Sequence, residues 1–312
     1  MNPALSIVFF TTASGAGFGL LMLIGVAAPL GLVPQNALFG FVALAAAALL
    51  TVAGLLSSVL HLGRPERAWR AFSQWRSSWL SREGVLSVLT FIPAAIFALG
   101  WILFGRTDGF AGLCGILMAA LAAGTVFCTG MIYASLKPIR QWANGWVVPG
   151  YLAFGLMSGL LLLDLIVRFW VRPIAIPLLT LAVVAAAWWI KERYWRAIDL
   201  SAAPSTVASA TSLGRRGPVR MLEPANTEEN YLLKEMGYRI ARKHRRRLRL
   251  VVRVAGFLVP LLATLVALFG VAALLSALVA ALGAALGLVV ERWLFFAEAK
   301  HTVMLYYGAE AV

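Results

Sequence analysis

The chain has few of the residues that hold redox metals: two cysteines and three histidines in 312 residues, with no HExxH or CxxC motif. Cys114 and Cys128 fall in one predicted helix, where a separation of 14 residues (114 to 128) spans about 21 Å at 1.5 Å per residue. That distance excludes a disulfide between them and a shared metal cluster. His244 lies in a basic stretch and His301 lies beyond the last apolar run, so a bis-histidine haem inside the membrane is not expected. Paired intramembrane carboxylates of the kind a hydrolytic site uses are also missing. Any metal redox centre that works with this chain is expected on another chain.

Charge is scarce too. Only 13% of residues are charged against 61% hydrophobic, and mean hydropathy is +0.86, whereas a soluble domain carries about a quarter charged residues. These values exclude an ordinary soluble protein. Apolar runs broken by charge or by Pro, Gly and Asn predict eight crossings, at roughly 6–30, 37–62, 83–104, 109–135, 147–169, 173–190, 251–270 and 272–297. The expected fold is all-α: a polytopic bundle of eight transmembrane helices, one transmembrane domain over residues 1–312 with a loop at about 191–250. Only Gly270 divides the last two runs, but a single helix of their combined length would overshoot a bilayer. No Lys or Arg precedes Arg64, so the basic start of a secretory signal is missing and no cleaved segment is predicted.

Acidic residues number 13 against 27 basic ones, a net charge of +14. In a soluble protein that excess would suggest nucleic acid; beside a membrane it is the positive-inside signal, and no nucleic-acid partner is expected. With eight spans, 24 of the Lys and Arg residues share one side, and Arg106, Arg168 and Arg172 make 3 on the other. Without residues 191–253 the ratio is still 9 to 3. Both termini and the heavy loops are therefore predicted on the cytoplasmic side. Within the long loop, Ser201 to Pro224 has the composition of an irregular segment, Thr227 to Tyr238 that of an amphipathic helix, and Arg239 to Arg249 that of a basic cluster facing anionic lipid or a protein partner.

Three GxxxG spacings, Gly15/Gly19, Gly155/Gly159 and Gly283/Gly287, read as close helix packing in lipid. The first resembles part of a dinucleotide fingerprint, but no strand precedes it and it lies within an apolar span. No internal repeat is visible, so the inverted-repeat signature of many transporters is not found. Asp164 and Arg168, four apart, suit an intrahelical ion pair, and Glu291 suits pairing with a neighbouring arginine such as Arg292, with a proton route as the other reading. Trp188, Trp189 and Trp195 read as an interface belt, and Tyr133 and Gln141 as candidate liners of a cytoplasmic cavity.

Residues 57–84 carry the chemistry. His61 ends one span and Glu83 begins the next, with a run of Arg and Trp between them at interface depth. Most of that run is explained as anchoring, whereas ionisable groups at the ends of adjacent spans mark proton or ligand pathways. A quinone headgroup takes up or releases two electrons and two protons near the interface. It needs a hydrogen-bond partner that titrates near neutral pH and a carboxylate to pass the proton on, which His61 and Glu83 supply.

The opening Asn2-Pro3-Ala4-Leu5 to Thr12 and the stretch His61-Leu62-Gly63-Arg64-Pro65 through Trp79-Leu80-Ser81-Arg82-Glu83 resemble the membrane anchor subunit family of dimethyl sulfoxide reductase. The resemblance implies a haem-free eight-helix anchor that is not catalytic alone. It would hold an iron–sulfur subunit and a molybdopterin catalytic subunit, whose cofactors stay on those chains, and exchange electrons with ubiquinone or menaquinone. It places His61, Arg64 and Glu83 at the quinone, with Ser58, Arg67, Trp75, Arg76, Trp79 and Arg82 as headgroup or partner contacts. The strongly basic face puts the partners in the cytoplasm. This placement, with the likeness of Glu229 to Gly237 to sulfite-oxidising anchors, favours sulfite oxidation over the menaquinol-oxidising sulfoxide reductase reading. The rival from another class is a stand-alone transporter or channel.

Overall fold

The computed structural model describes residues 3–60, 62–200, 205–220, 222–223, 240–307 and 309–312, with the backbone only for 240–243. His61 and the segment Thr227 to Tyr238 lie outside the described residues. Among the described residues, eight helices are long and apolar enough to cross a membrane: α1 (Leu5–Ala27), α2 (Ala37–Val59), α3 (Trp79–Phe104), α4 (Gly109–Ala134), α5 (Val147–Val167), α6 (Ala175–Leu200), α7 (His244–Leu268) and α8 (Ala273–Ala297). All eight expected crossings are present. The division between the last two is a turn in which Gly270 takes φ +79°, a left-handed backbone that glycine adopts without a Cβ penalty.

The bundle is built around α1 and α5. Their apolar windows are 67% and 72% buried, against 28–44% for the other spans. Lipid gives apolar side chains no reason to leave it, so helices pack where small residues let backbones approach. A Cβ on Gly19 would fall 1.9 Å from the Gly155 carbonyl oxygen, and one on Gly159 would fall 2.4 Å from the Gly19 carbonyl carbon. The α7–α8 pair repeats the device, since a Cβ on Gly287 would lie 2.2 Å from Gly256 Cα. The packing reading therefore holds for these glycines, whereas Gly15 faces open space.

Two boundaries differ from the sequence expectation, for one reason. Helix α6 continues ten residues past the predicted end at 190, to Leu200, and the helix that leads into α7 is already wound at Ile240, ahead of the predicted 251. The charges that end the hydropathy runs there are neutralised between helices: Lys191 meets Glu291, Arg253 Nε meets Glu192 at 2.6 Å, and Arg249 Nε meets Glu298 at 2.9 Å. Trp195, expected at a lipid interface, is 2% exposed, with the Arg249 and Arg253 guanidiniums 5.1 and 5.0 Å from its ring. Residues 252–258 of α7 are wound as a π-helix, with the Val259 N–H reaching the Val254 carbonyl, just before Pro260, which has no N–H to donate.

The C-terminal tail folds back across the same end of the bundle. Thr302 N donates to the Pro138 carbonyl at 3.1 Å, and Val207 N donates to the Glu310 carbonyl at 3.3 Å. Gln141, expected at a cavity, instead accepts from the Lys300 amide at 3.1 Å. Between 205 and 220 the chain is irregular apart from the short helix Val207–Thr211 and one turn at Gly214–Arg216.

Candidate functional site

The α2–α3 connection begins with a short helix, Pro65–Phe72, none of whose residues is buried. Arg64, Arg67, Trp75 and Arg76 are exposed on this connection, and Arg76 lies over the Trp75 ring at 5.4 Å. Arg82 reaches back from α3 to close it. Its Nε donates to the Trp75 carbonyl at 3.0 Å, its Nη2 to the Arg76 carbonyl at 2.6 Å, and its guanidinium carbon lies 4.3 Å from the Trp79 ring centroid. Trp79 in turn meets Phe127 of α4 edge-on at 6.0 Å. Phe72 packs onto Gly84, where a Cβ would come within 3.1 Å of its ring. Ser58, on the last turn of α2, is occupied by the Leu55 carbonyl at 2.6 Å. The residues expected at the site thus separate into an exposed basic and aromatic strap and a group at the start of α3.

Beneath that strap, Glu83 sits in the second turn of α3 and is 4% exposed. Its carboxylate is hydrogen-bonded to Thr129 Oγ1 of α4, and that hydroxyl also lies 3.1 Å from the Thr125 carbonyl. One hydroxyl proton faces two acceptors. When Thr129 donates to Thr125, a protonated Glu83 can donate to Thr129; when Glu83 is ionised, the Thr129 proton turns to it. The site accommodates both protonation states of the carboxyl without moving a heavy atom.

Sequence analysis missed what lies behind Thr129. A small cavity bounded by Thr11, Ser14, Thr129, Tyr151, Ser158 and Arg292 leaves about 20 Å³ for water centres, enough for one water. Arg292 and Tyr151 also bound a second space of about 10 Å³, at the lower limit for a water, whose other walls include Lys191, Tyr194 and Glu291. Lys191 and Glu291 are hydrogen-bonded and nearly fully buried, and Arg292 Nε lies 3.3 Å from the second oxygen of Glu291. The Arg292 guanidinium lies over Tyr151, 3.9 Å from the ring centroid, and the Lys191 ammonium over Tyr194 at 4.0 Å.

The expected pairing of Glu291 with Arg292 is present, but its hydrogen-bonded partner is Lys191, which the sequence analysis placed in a loop. The available signal was an ionisable residue directly after an apolar run, next to tryptophans. Tyr133, expected at a cavity, lies in an aromatic cluster with Trp142, Tyr151 and Phe295 at 5.1, 5.7 and 5.4 Å. Among the described residues, no group of three or more His, Cys, Asp or Glu could hold a metal.

The model of the DMSO reductase anchor subunit (DmsC) family matches residues 1–308. A sulfite dehydrogenase subunit of Allochromatium vinosum is 33% identical over 330 aligned residues, covering 100% of both chains. No solved structure matches.

Proposed function

The chain belongs to the DMSO reductase anchor subunit family and is a membrane anchor of an oxidoreductase, and on that premise we propose that it exchanges electrons between quinone and an iron–sulfur partner, in a complex that oxidises sulfite. The observation that carries the quinone reading is the buried Glu83–Thr129 pair, a carboxyl able to hold or release a proton beneath a basic, aromatic strap at one end of the bundle. Sulfite is favoured by the full-length relative, which is named for a sulfite dehydrogenase.

A bound quinone supplies two-electron, two-proton chemistry; this chain binds it, shields it and handles its protons. Glu83 holds the proton at its carboxyl, and Thr129 fixes the orientation of that carboxyl in either state. Arg82 is held by the Trp75 and Arg76 carbonyls, which sets the strap over the start of α3. His61 and Arg64 complete the proposed quinone site, with Ser58, Arg67, Trp75, Arg76 and Trp79 as headgroup or partner contacts. The partners dock on the strap side, which the positive-inside rule makes cytoplasmic in the inner membrane.

The test begins with affinity purification of the tagged protein from native membranes and measurement of molybdenum and iron in the eluate. Co-purifying metals with sulfite-dependent quinone reduction support the proposal. Sulfoxide-dependent quinol oxidation would reverse the electron flow, and a metal-free eluate of this chain alone would favour a transporter. In the complex, Glu83→Gln should lower quinone-linked turnover about 100-fold, within the range lost with a general acid–base group, while sulfite oxidation with an artificial dye persists. Turnover within twofold of wild type would remove Glu83 from the site.

A further inference from the structure

Glu83 is closed off from the aqueous phase on its own helix, so a proton it exchanges needs a path, and a line of buried polar groups leads away from it. Thr129 joins Glu83 to the first cavity. Tyr151 and Arg292 form the partition shared by the two cavities, and Glu291, Lys191 and Tyr194 line the far one. The Tyr194 hydroxyl is buried without a hydrogen bond among the described residues, and the Tyr151 hydroxyl lies beside Arg292 and Tyr133 without a well-formed one. Buried hydroxyls of this kind are ordinarily satisfied by water, and the two cavities have water-sized, not headgroup-sized, room.

Seven residues on from Glu291, about 10.5 Å along α8, buried Glu298 holds Arg249 at 2.9 and 3.1 Å. Arg249 Nη2 also holds Asp199 at 3.2 Å, and the Asp199 side chain is 37% exposed. The groups lie near the starts of α3 and α5 and near the ends of α4, α6 and α8, which in an alternating bundle are one face. The line therefore runs sideways through the bundle, close to that face.

We propose that this line is a lateral proton route between Glu83 and the aqueous surface at Asp199, on the same face of the membrane as the strap. The inference rests on the quinone function proposed above. For each quinone reduced, two electrons come from the iron–sulfur partner and two protons from water on that face; for each quinol oxidised, the same numbers leave. The route carries protons only. Because it starts and ends on one face, proton exchange along it moves no charge across the membrane.

The test uses the purified complex with two variants that leave Glu83 and the strap intact. Lys191→Met removes the ammonium that lines the far cavity and leaves Glu291 its Arg292 partner, and Ser158→Val fills the first cavity. Each should lower quinone-linked turnover at least tenfold, with dye-linked sulfite oxidation, molybdenum content and quinone-analogue affinity unchanged. An experimental density map should show water in both cavities of the wild type and none in the first cavity of Ser158→Val. Wild-type turnover within twofold in an assembled variant, or dry cavities in the wild-type map, would overturn the route. Failure of the quinone function itself would read differently, as a wild-type complex that neither binds the analogue nor turns over with quinone.

Discussion

The two ends of the bundle each bury ion pairs, but they do so differently. At one end Asp164 and Arg168 sit four residues apart on α5, 2.9 Å from each other, and Arg168 Nη1 also donates to the Ala267 carbonyl at 3.2 Å. At the other, Lys191 of α6 meets Glu291 of α8, Arg292 leans on Tyr151 of α5, and water-sized spaces open on either side. The first pair neutralises itself within one helix. In the second, Lys191 has no local partner and is matched only because α6 and α8 converge, and a buried charge is costly unless it is matched. A cluster assembled across helices, beside cavities, suits moving a proton; an intrahelical pair suits ending a helix.

Breaking each pair sharpens that contrast. Glu291→Gln strips both buried cations, Lys191 and Arg292, of the carboxylate they share, and should cost about 3–5 kcal/mol, the usual result of breaking a buried pair. Thermal unfolding of the detergent-purified complex checks this, and Lys191→Met, which leaves Glu291 with Arg292 at 3.3 Å, should cost less. Equal instability of the two variants would show that the cluster is not one electrostatic unit. Arg168→Met leaves buried Asp164 without that partner and should cost about as much as Glu291→Gln, while leaving quinone-linked turnover per assembled complex unchanged. A fall in turnover would mean that both ends serve the reaction.

The smallest effect concerns the tail that closes the polar end. His301 is partly buried, which lowers its pKa, and its Nδ1 accepts from the Val303 amide at 3.0 Å. The folded state prefers neutral His301, so its contribution is present above the unfolded pKa of about 6.5 and is lost as pH falls through the lower folded value. Limited proteolysis between pH 7.5 and 5 should show the tail becoming more cleavable at acid pH, and His301→Gln should flatten that profile. An unchanged profile in the variant would assign the effect elsewhere.

Local signals proved readable. The eight spans, the close-packing role of Gly19, Gly155 and Gly159, the turn at Gly270 and the Asp164–Arg168 pair all follow from neighbours in sequence or from a composition that lipid demands. Lys191 and Trp195 did not. A lysine after an apolar run ordinarily marks the end of a span, and a tryptophan beside it an interface anchor. Both expectations fail here because Glu291, far away in the chain, supplies the missing charge, and because Arg249 and Arg253 cover the indole. The site shows the same division: Glu83 was visible as a carboxylate at a span boundary, but Thr129, which sets its hydrogen bonding, is an ordinary helical threonine until α3 and α4 are packed.

The sequence by itself determined that this chain lives in a membrane, how many times it crosses, where its backbones can touch and which family it belongs to. Hydropathy, glycine spacing and motif are properties of short stretches and need no partner to be read. Tertiary structure alone decided which charges are buried, because burying a charge in lipid is tolerable only when an opposite one arrives from another helix. It also decided where water-sized spaces remain between them.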